Sequence, residues 1–291
     1  MCTTCCFPDL AATAPCEALA DLQLRFAIAP DGRTYLDRQF SRYPFHICRA
    51  QYVDPDPKGL ATIYLQSSAG GIFADDRLSC VFHALPKSQA HITTQASTVV
   101  HRMDNGDACH DVEIRAEANS FLEYLPDPMI LFPMAKLRSS VVVQMHPSAT
   151  VLIADAFTSH DPVANQDNFT EYHNETRVED LHGKLLCLDR YCVSGKQFCS
   201  GQLGVMGKNA VQGTFMLLNS THSSTDMCEL LRRSLQSHFD GYAGVSTLPN
   251  GCGAWVRLVA FEAFALRSAI QEVWAVTRQA VMGTRPHNRR K

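Results

Sequence analysis

Phe121-Leu122-Glu123-Tyr124-Leu125-Pro126-Asp127-Pro128-Met129-Ile130-Leu131-Phe132-Pro133 opens like a β-strand and then cannot continue as one. Its first five residues are mostly aromatic or aliphatic. Pro126, Pro128 and Pro133 then remove backbone donors and fix φ, so no regular ladder can run through them. The segment stays apolar while it bends. Glu123 and Asp127 are acids inside this apolar run, where an acid has to find partners or costs stability. For Glu123 and for Asp155, which ends the apolar run Val151-Leu152-Ile153-Ala154, one reading is a core acid hydrogen-bonded to backbone.

On either side of this segment, strand and turn recur. Leu22, Leu24, Phe26 and Ile28 alternate with polar or small residues, as in a half-buried strand. The residues Ala90, Ser120, Ala149, Gly183 and Gly213 each precede or begin an apolar strand, at steps of 30, 29, 34 and 30. A period near thirty made of strand and turn, without helix, predicts stacked β layers with β-helix-like topology. An ordinary β-sandwich also repeats its turns and stays open. Helices are expected only toward the C-terminus. One is capped by Asp226 and carries Leu230, Leu231 and Leu235. Another runs from about Phe261 to Val281, with Leu266, Ile270, Val273, Trp274, Thr277 and Val281 as its apolar stripe and Arg267, Gln271 and Arg278 opposite. The organisation expected is a flexible tail at 1–20, one β-rich domain at 21–284 and a basic tail at 285–291.

The 291 residues can bury a large core, and the net charge of -3 argues against a nucleic-acid binder. No apolar run is long enough to cross a membrane as a helix, and no signal-peptide pattern opens the chain. A cytoplasmic location follows as the expectation. Met1–Cys6 holds one C-x-x-C, half of what a zinc site needs. Cys187, Cys192 and Cys199 lack ligand spacing and read as small buried hydrophobes. Gly201–Lys208 resembles a phosphate loop only superficially, since Asn209 stands where Ser or Thr would bind magnesium. His83, His91 and His101 lie on neighbouring strands and could meet, as could His160 and His173.

Two upstream stretches belong with the first one. Gly70-Gly71 is followed by Asp75-Asp76-Arg77-Leu78. Thr93-Thr94-Gln95-Ala96-Ser97-Thr98 leads to His101-Arg102. In this order the three stretches resemble the UreD (UreH) family of urease accessory proteins, over about Leu22 to Arg285. The resemblance implies a β-rich, β-helix-like fold and a non-enzymatic scaffold. Such a scaffold acts on apo-urease with a UreF-type partner and a UreG-type GTPase, with a dimer of that complex left open. It implies no tightly bound cofactor but transient Ni2+, passed through an internal tunnel. The family's nickel-path acids correspond to Asp76 and Asp155, with Asp75, Ser97, Thr98 and Glu123 as tunnel or nearby polar groups. There are departures. Ser67-Ser68-Ala69 stands for Ser-Pro-Gly, and Asp75 precedes Asp76 where Gly is usual. The segment after Asp155 also lacks the common Gly-Glu, so no tunnel glutamate is carried over to it.

Two other classes stay open. One is a β-helical hydrolase or lyase using Asp75 and Asp76 with a nearby histidine. The other is a metal store built on the Cys and His content.

Overall fold

The computed structural model describes residues 20–165, 167–236 and 239–287. The N-terminal C-x-x-C, positions 1–19 of the expected tail and the basic end from Asn288 lie outside the described residues. Strands come first: β1 (Leu22–Ile28), β2 (Thr34–Ser41), β3 (Phe45–Ile47), β4 (Ala61–Ser67), β5 (Arg77–Ala84) and β6 (Gln89–Thr94). Then come β7 (Val99–Val100), β8 (Ala108–Ala116), β9 (Phe121–Tyr124), β10 (Met129–Leu131), β11 (Lys136–Met145), β12 (Thr150–Ser159), β13 (Glu171–Asp180) and β14 (Leu185–Ser194). The rest is α1 (Gly195–Phe198), β15 (Val211–Asn219), α2 (Ser224–Gln236), β16 (Tyr242–Thr247), β17 (Gly253–Ala260) and α3 (Ala263–Met282).

The chain winds between two sheets. The first has the order β14-β13-β11-β8-β5-β1-β2, the second β16-β17-β15-β12-β9-β6-β4-β3, with β7 and β10 attached beside β12. In the first sheet Arg77 faces Cys109, Ala108 faces Leu137 and Lys136 faces Glu171, all in parallel, at steps of 32, 29 and 35 residues. In the second, Ala61 faces Ala90, Gln89 faces Phe121 and Phe121 faces Thr150, at steps of 29, 32 and 29. Each step is one coil of a two-sheet solenoid, which is the origin of the period. A parallel neighbour can be reached only by crossing over, and here the other sheet supplies the crossover.

Coiling stops after β13. Gly183 sits in a tight hairpin whose Asp180 carboxylate accepts the N–H groups of His182 and Lys184. β14 therefore returns antiparallel, and β15 pairs antiparallel with β12. Of the periodic positions, Gly183 thus lies in the turn of an antiparallel hairpin and Gly213 in an antiparallel strand, unlike Ala90, Ser120 and Ala149, which begin or lead into parallel ones.

Most of the core lies between the sheets, through Phe26, Phe82, Ile92, Ile114, Val143 and Ile153. A second core covers the outside of the second sheet, where α2 and α3 lay Leu231, Leu235, Leu266, Val273 and Trp274 on Leu152, Phe215 and Val256. Ser223 rather than Asp226 caps α2, its hydroxyl accepting the Asp226 N–H at 3.3 Å. Arg278 also departs from expectation, being fully buried on the apolar stripe, one turn after Trp274. Beyond α3, Arg285 pairs with Glu272 and the His287 N–H donates to Asp54 at 2.7 Å.

Candidate functional site

The prolines of the opening stretch create an interruption in the second sheet. β9 stops at Tyr124, and the chain rejoins the same neighbour as β10, where Met129 faces Phe157. One coil earlier, β6 stops at Thr94 and resumes as β7. Side chains take up backbone groups freed by the gap. The Thr93 hydroxyl donates to the Leu125 carbonyl at 2.6 Å, and the Asp127 N–H donates to Thr94 Oγ1 at 2.8 Å. Beneath the interruption lies a cavity of about 270 Å³, lined among others by Gly71, Ser97, Thr98, His110, Tyr124 and Met129. Gly71 is needed there, because a Cβ would sit 2.5 Å from the Val99 carbonyl oxygen and 2.7 Å from the His101 ring.

His110 leads from this cavity into the interior. In β8, Ala108, Val112, Ile114 and Ala116 are buried on the inner face, and His110 shares that face. Its Nδ1 is buried without a hydrogen-bond partner. Burial lowers its pKa to about 4, so the ring is neutral at pH 7. Register then sets Ser139 beside His110, Asn174 beside Ser139 and Tyr191 beside Asn174. This polar row crosses the inner face of the first sheet over three strand spacings, roughly 14 Å.

Asp155 faces that row from the second sheet. The Tyr191 hydroxyl donates to it at 2.9 Å and the Tyr172 hydroxyl at 3.3 Å, while Asn174 Nδ2 donates to Tyr172 Oη at 3.1 Å. Burial pushes the Asp155 carboxyl above its ordinary value, opposed by the two tyrosine hydrogen bonds and the Arg257 charge. Beside Asp155 in the second sheet come Thr214 and then Arg257. Arg257 donates to Asp189 at 2.7 Å and lies over the Tyr191 ring. Thr214 Oγ1, Arg257 Nε and Trp255 Nε1 are buried without partners, as is His110 Nδ1. His110, Asp155 and Tyr191 nonetheless keep accessible surface, so side chains do not fill the space around them.

The structure distributes the residues expected from sequence among four places. Ser97 and Thr98 line the cavity, and Asp155 sits farther in. Asp75 and Asp76 occupy a surface turn, where Asp76 Oδ2 accepts the Phe73 N–H at 2.8 Å and Asp75 has a positive φ of 66°. Glu123 points the other way, into the core under α3. It accepts from Trp274 Nε1 at 2.7 Å and from both Nε and an Nη of Arg278, and it pairs with His91 Nδ1 at 2.7 Å. Arg278 reaches Asp54 at 2.8 Å as well. Burial alone would raise the Glu123 pKa, but the Arg278 charge and the His91 and Arg278 hydrogen bonds bring it down to about 2. Its partners are side chains rather than the backbone groups expected.

The histidines stay apart. His83 pairs with Glu117, His91 with Glu123, and His101 stacks on Phe73. His173 instead meets Glu171 and Cys192, and Cys192 is only partly buried. Cys199 is exposed, while Cys187 is buried as expected. His110, Tyr172 and Tyr191 were not singled out from sequence. For His110 the signal was present, as one polar residue on an otherwise apolar alternating face. Among the described residues no helix is long and apolar enough to cross a membrane.

A family model described as UreD urease accessory protein matches residues 18–291. Urease accessory protein UreD 1 of Pseudomonas syringae pv. syringae is 40% identical over 277 residues, covering 95% of this chain and 97% of that one. Its counterpart from Pseudomonas syringae pv. tomato is 39% identical over 272 residues, 94% of this chain and 95% of the other. The UreD 1 protein of Methylorubrum populi is 35% identical over 260 residues, 89% and 88% of the two chains.

Proposed function

This chain belongs to the UreD family of urease accessory proteins, and from that premise we propose that it serves urease maturation as a scaffold that passes nickel through the space between its two sheets. In this reading it binds apo-urease together with a UreF-type protein and a UreG-type GTPase, in the cytoplasm, and carries out no catalytic step itself. The observation that supports the path is the polar inner layer from Ser97, Thr98 and His110 through Ser139 and Asn174 to Asp155. Buried polar atoms are ordinarily hydrogen-bonded. Four partnerless ones in a layer whose groups retain accessible surface argue for an interior that takes up water or ions.

The donor set suits transit rather than storage. A neutral imidazole is a good ligand for a borderline divalent cation, hydroxyls are weak ones, and one carboxylate supplies charge. No point of the layer gathers three strong ligands, so an ion entering it is not trapped. Arg257 would repel a cation, but its charge is paired with Asp189. Asp76 stands outside this layer, on the turn that continues from Gly71 and Ile72, both of which line the cavity. We place it at the outer end of the path.

The test is urease activation at limiting nickel with Asp155→Asn, His110→Gln and Asp76→Asn variants. Assembly with the partners is followed in parallel by pull-down. The expected result is intact assembly, with urease activity and urease nickel content falling together for Asp155→Asn and His110→Gln. Partial recovery should follow when nickel is raised. Full activation by the Asp155→Asn/His110→Gln double variant at limiting nickel would remove the interior layer from the path. Asp76→Asn preserves the acceptor for Phe73 N–H, so a loss with that variant reports the missing charge.

A further inference from the structure

The outer face of the first sheet carries a second constellation of ligands, away from the inner layer. Glu171 and His173 are two residues apart in β13 and so point to the same side. Cys192 of β14 lies directly across from His173 in the antiparallel register. The three donors converge. Cys192 Sγ is 3.3 Å from Glu171 Oε1 and 3.5 Å from His173 Nε2, and His173 Nε2 is 2.9 Å from Glu171 Oε2. All three residues are partly buried, which leaves the group reachable from solvent. Among the described residues this is the group of three or more His, Cys, Asp and Glu side chains whose ligand atoms all lie within 4.8 Å of one another.

These separations can be compared with a coordination sphere. With Zn–S of about 2.3 Å, Zn–N of about 2.0–2.1 Å and Zn–O of about 2.0–2.2 Å, a tetrahedral ion sets its ligands about 3.4–3.6 Å apart. The Cys192 Sγ–His173 Nε2 separation already matches to within about 0.1 Å. The two Glu171 separations involve different carboxylate oxygens, Oε1 toward Sγ and Oε2 toward Nε2, so the carboxyl has to turn to present one oxygen to the ion. We propose that Glu171, His173 and Cys192 form a surface site for one borderline divalent cation of the Zn2+ or Ni2+ type, with a fourth position open to water or to a ligand from another chain. Thiolate and imidazole select such ions over Mg2+ or Ca2+, which require oxygen ligands. Binding replaces the Cys192 thiol proton, which leaves to solvent, and puts the remaining imidazole proton on Nδ1.

Neighbouring charges are compatible with this site. Lys136 and Arg138 face Glu171 and His173 from β11. The Arg138 guanidinium is drawn away, donating to Cys109 Sγ at 3.0 Å. Lys136 stays near Glu171 and lowers the carboxyl's pKa as a minor contributor. The proposal does not rest on the nickel path, since ion binding is read on the chain alone. Either reading can fail while the other stands.

The experiment titrates the reduced full-length chain, without a histidine tag, with Co2+ as an optical probe, and with Zn2+, Ni2+ and Mg2+ by equilibrium dialysis. The chain has 12 Cys and 12 His, so the informative quantity is wild type minus variant. The wild type should show a thiolate-to-cobalt charge-transfer band that Zn2+ removes and Mg2+ does not. Cys192→Ser should lose that band and bind one ion fewer. His173→Ala and Glu171→Gln should weaken the site at least about 10-fold, because even losing a hydrogen bond to a ligand costs about that much. Circular dichroism melts report folding, and Glu171→Gln carries the test should Cys192→Ser fail to fold. An unchanged band and stoichiometry in folded Cys192→Ser, or unchanged affinity in folded Glu171→Gln, would overturn the proposal. So would the absence of any band in the wild type.

Discussion

Arg278→Met should cost about 3–5 kcal/mol of stability at neutral pH, as breaking a buried ion pair from one side does. Arg278 is fully buried and bonded to the equally buried Glu123 and Asp54, so its loss leaves two carboxylates without their cation. The lowered Glu123 pKa gives an order-of-magnitude measure of what burial, Arg278 and His91 contribute together. The Glu123 pKa falls from 4.5 to about 2. At about 1.4 kcal/mol per pH unit, that fall corresponds to about 3 kcal/mol. The folded protein binds fewer protons than the unfolded chain between these two values. This stabilisation is therefore complete above about pH 4.5 and disappears as pH drops toward 2. The assay is urea unfolding of wild type, Arg278→Met, Glu123→Gln and the double variant at pH 7, with thermal scans alongside. A chain of this size loses roughly 2–4 °C of Tm per kcal/mol, so a drop of at least about 6 °C is expected for Arg278→Met. The double variant should be less destabilised than the sum of the singles, because the two residues share one bond network. A loss below about 1 kcal/mol for Arg278→Met, or strict additivity, would refute the reasoning.

Trp274→Ala should cost roughly 3–5 kcal/mol, since the indole seals the core under α3, stacks on His91 and donates to Glu123. Unchanged melting with lost partner binding would place Trp274 at an interface instead. His110→Gln should flatten the pH dependence of stability between about 6.5 and 4. The buried imidazole stays neutral down to about 4 while the unfolded chain takes the proton near 6.5, so wild-type stability falls as pH drops through that window, by up to about 3 kcal/mol. Wild-type and variant urea midpoints that track each other across that range would show that His110 ionises freely in the folded state.

The repeating architecture was legible in the local pattern of the chain, but its end was not, since the same spacing ran on through Gly183 and Gly213, where pairing is already antiparallel. Parallel coils of similar length return turn residues to the same side at near-constant steps, so Ala90, Ser120 and Ala149 could be read directly. The prolines at 126 and 128 marked where a strand had to be interrupted, and the interruption overlies the cavity. The C-terminal helix was legible from its stripe. Spacing alone even put Arg278 on that stripe, one turn after Trp274, and only its charge argued for the opposite face. What the acids do was settled in three dimensions. Glu123 finds Arg278 across 155 positions and Asp54 meets it across 224, distances over which no local pattern speaks. Tyr191 reaches Asp155 from the opposite sheet, and Cys192 meets His173 because β14 pairs antiparallel in one particular register. A slip of one residue there would send every side chain of β14 to the other face. Local sequence sets the period of a strand, whereas the partners of its side chains depend on register and on how the two sheets face each other.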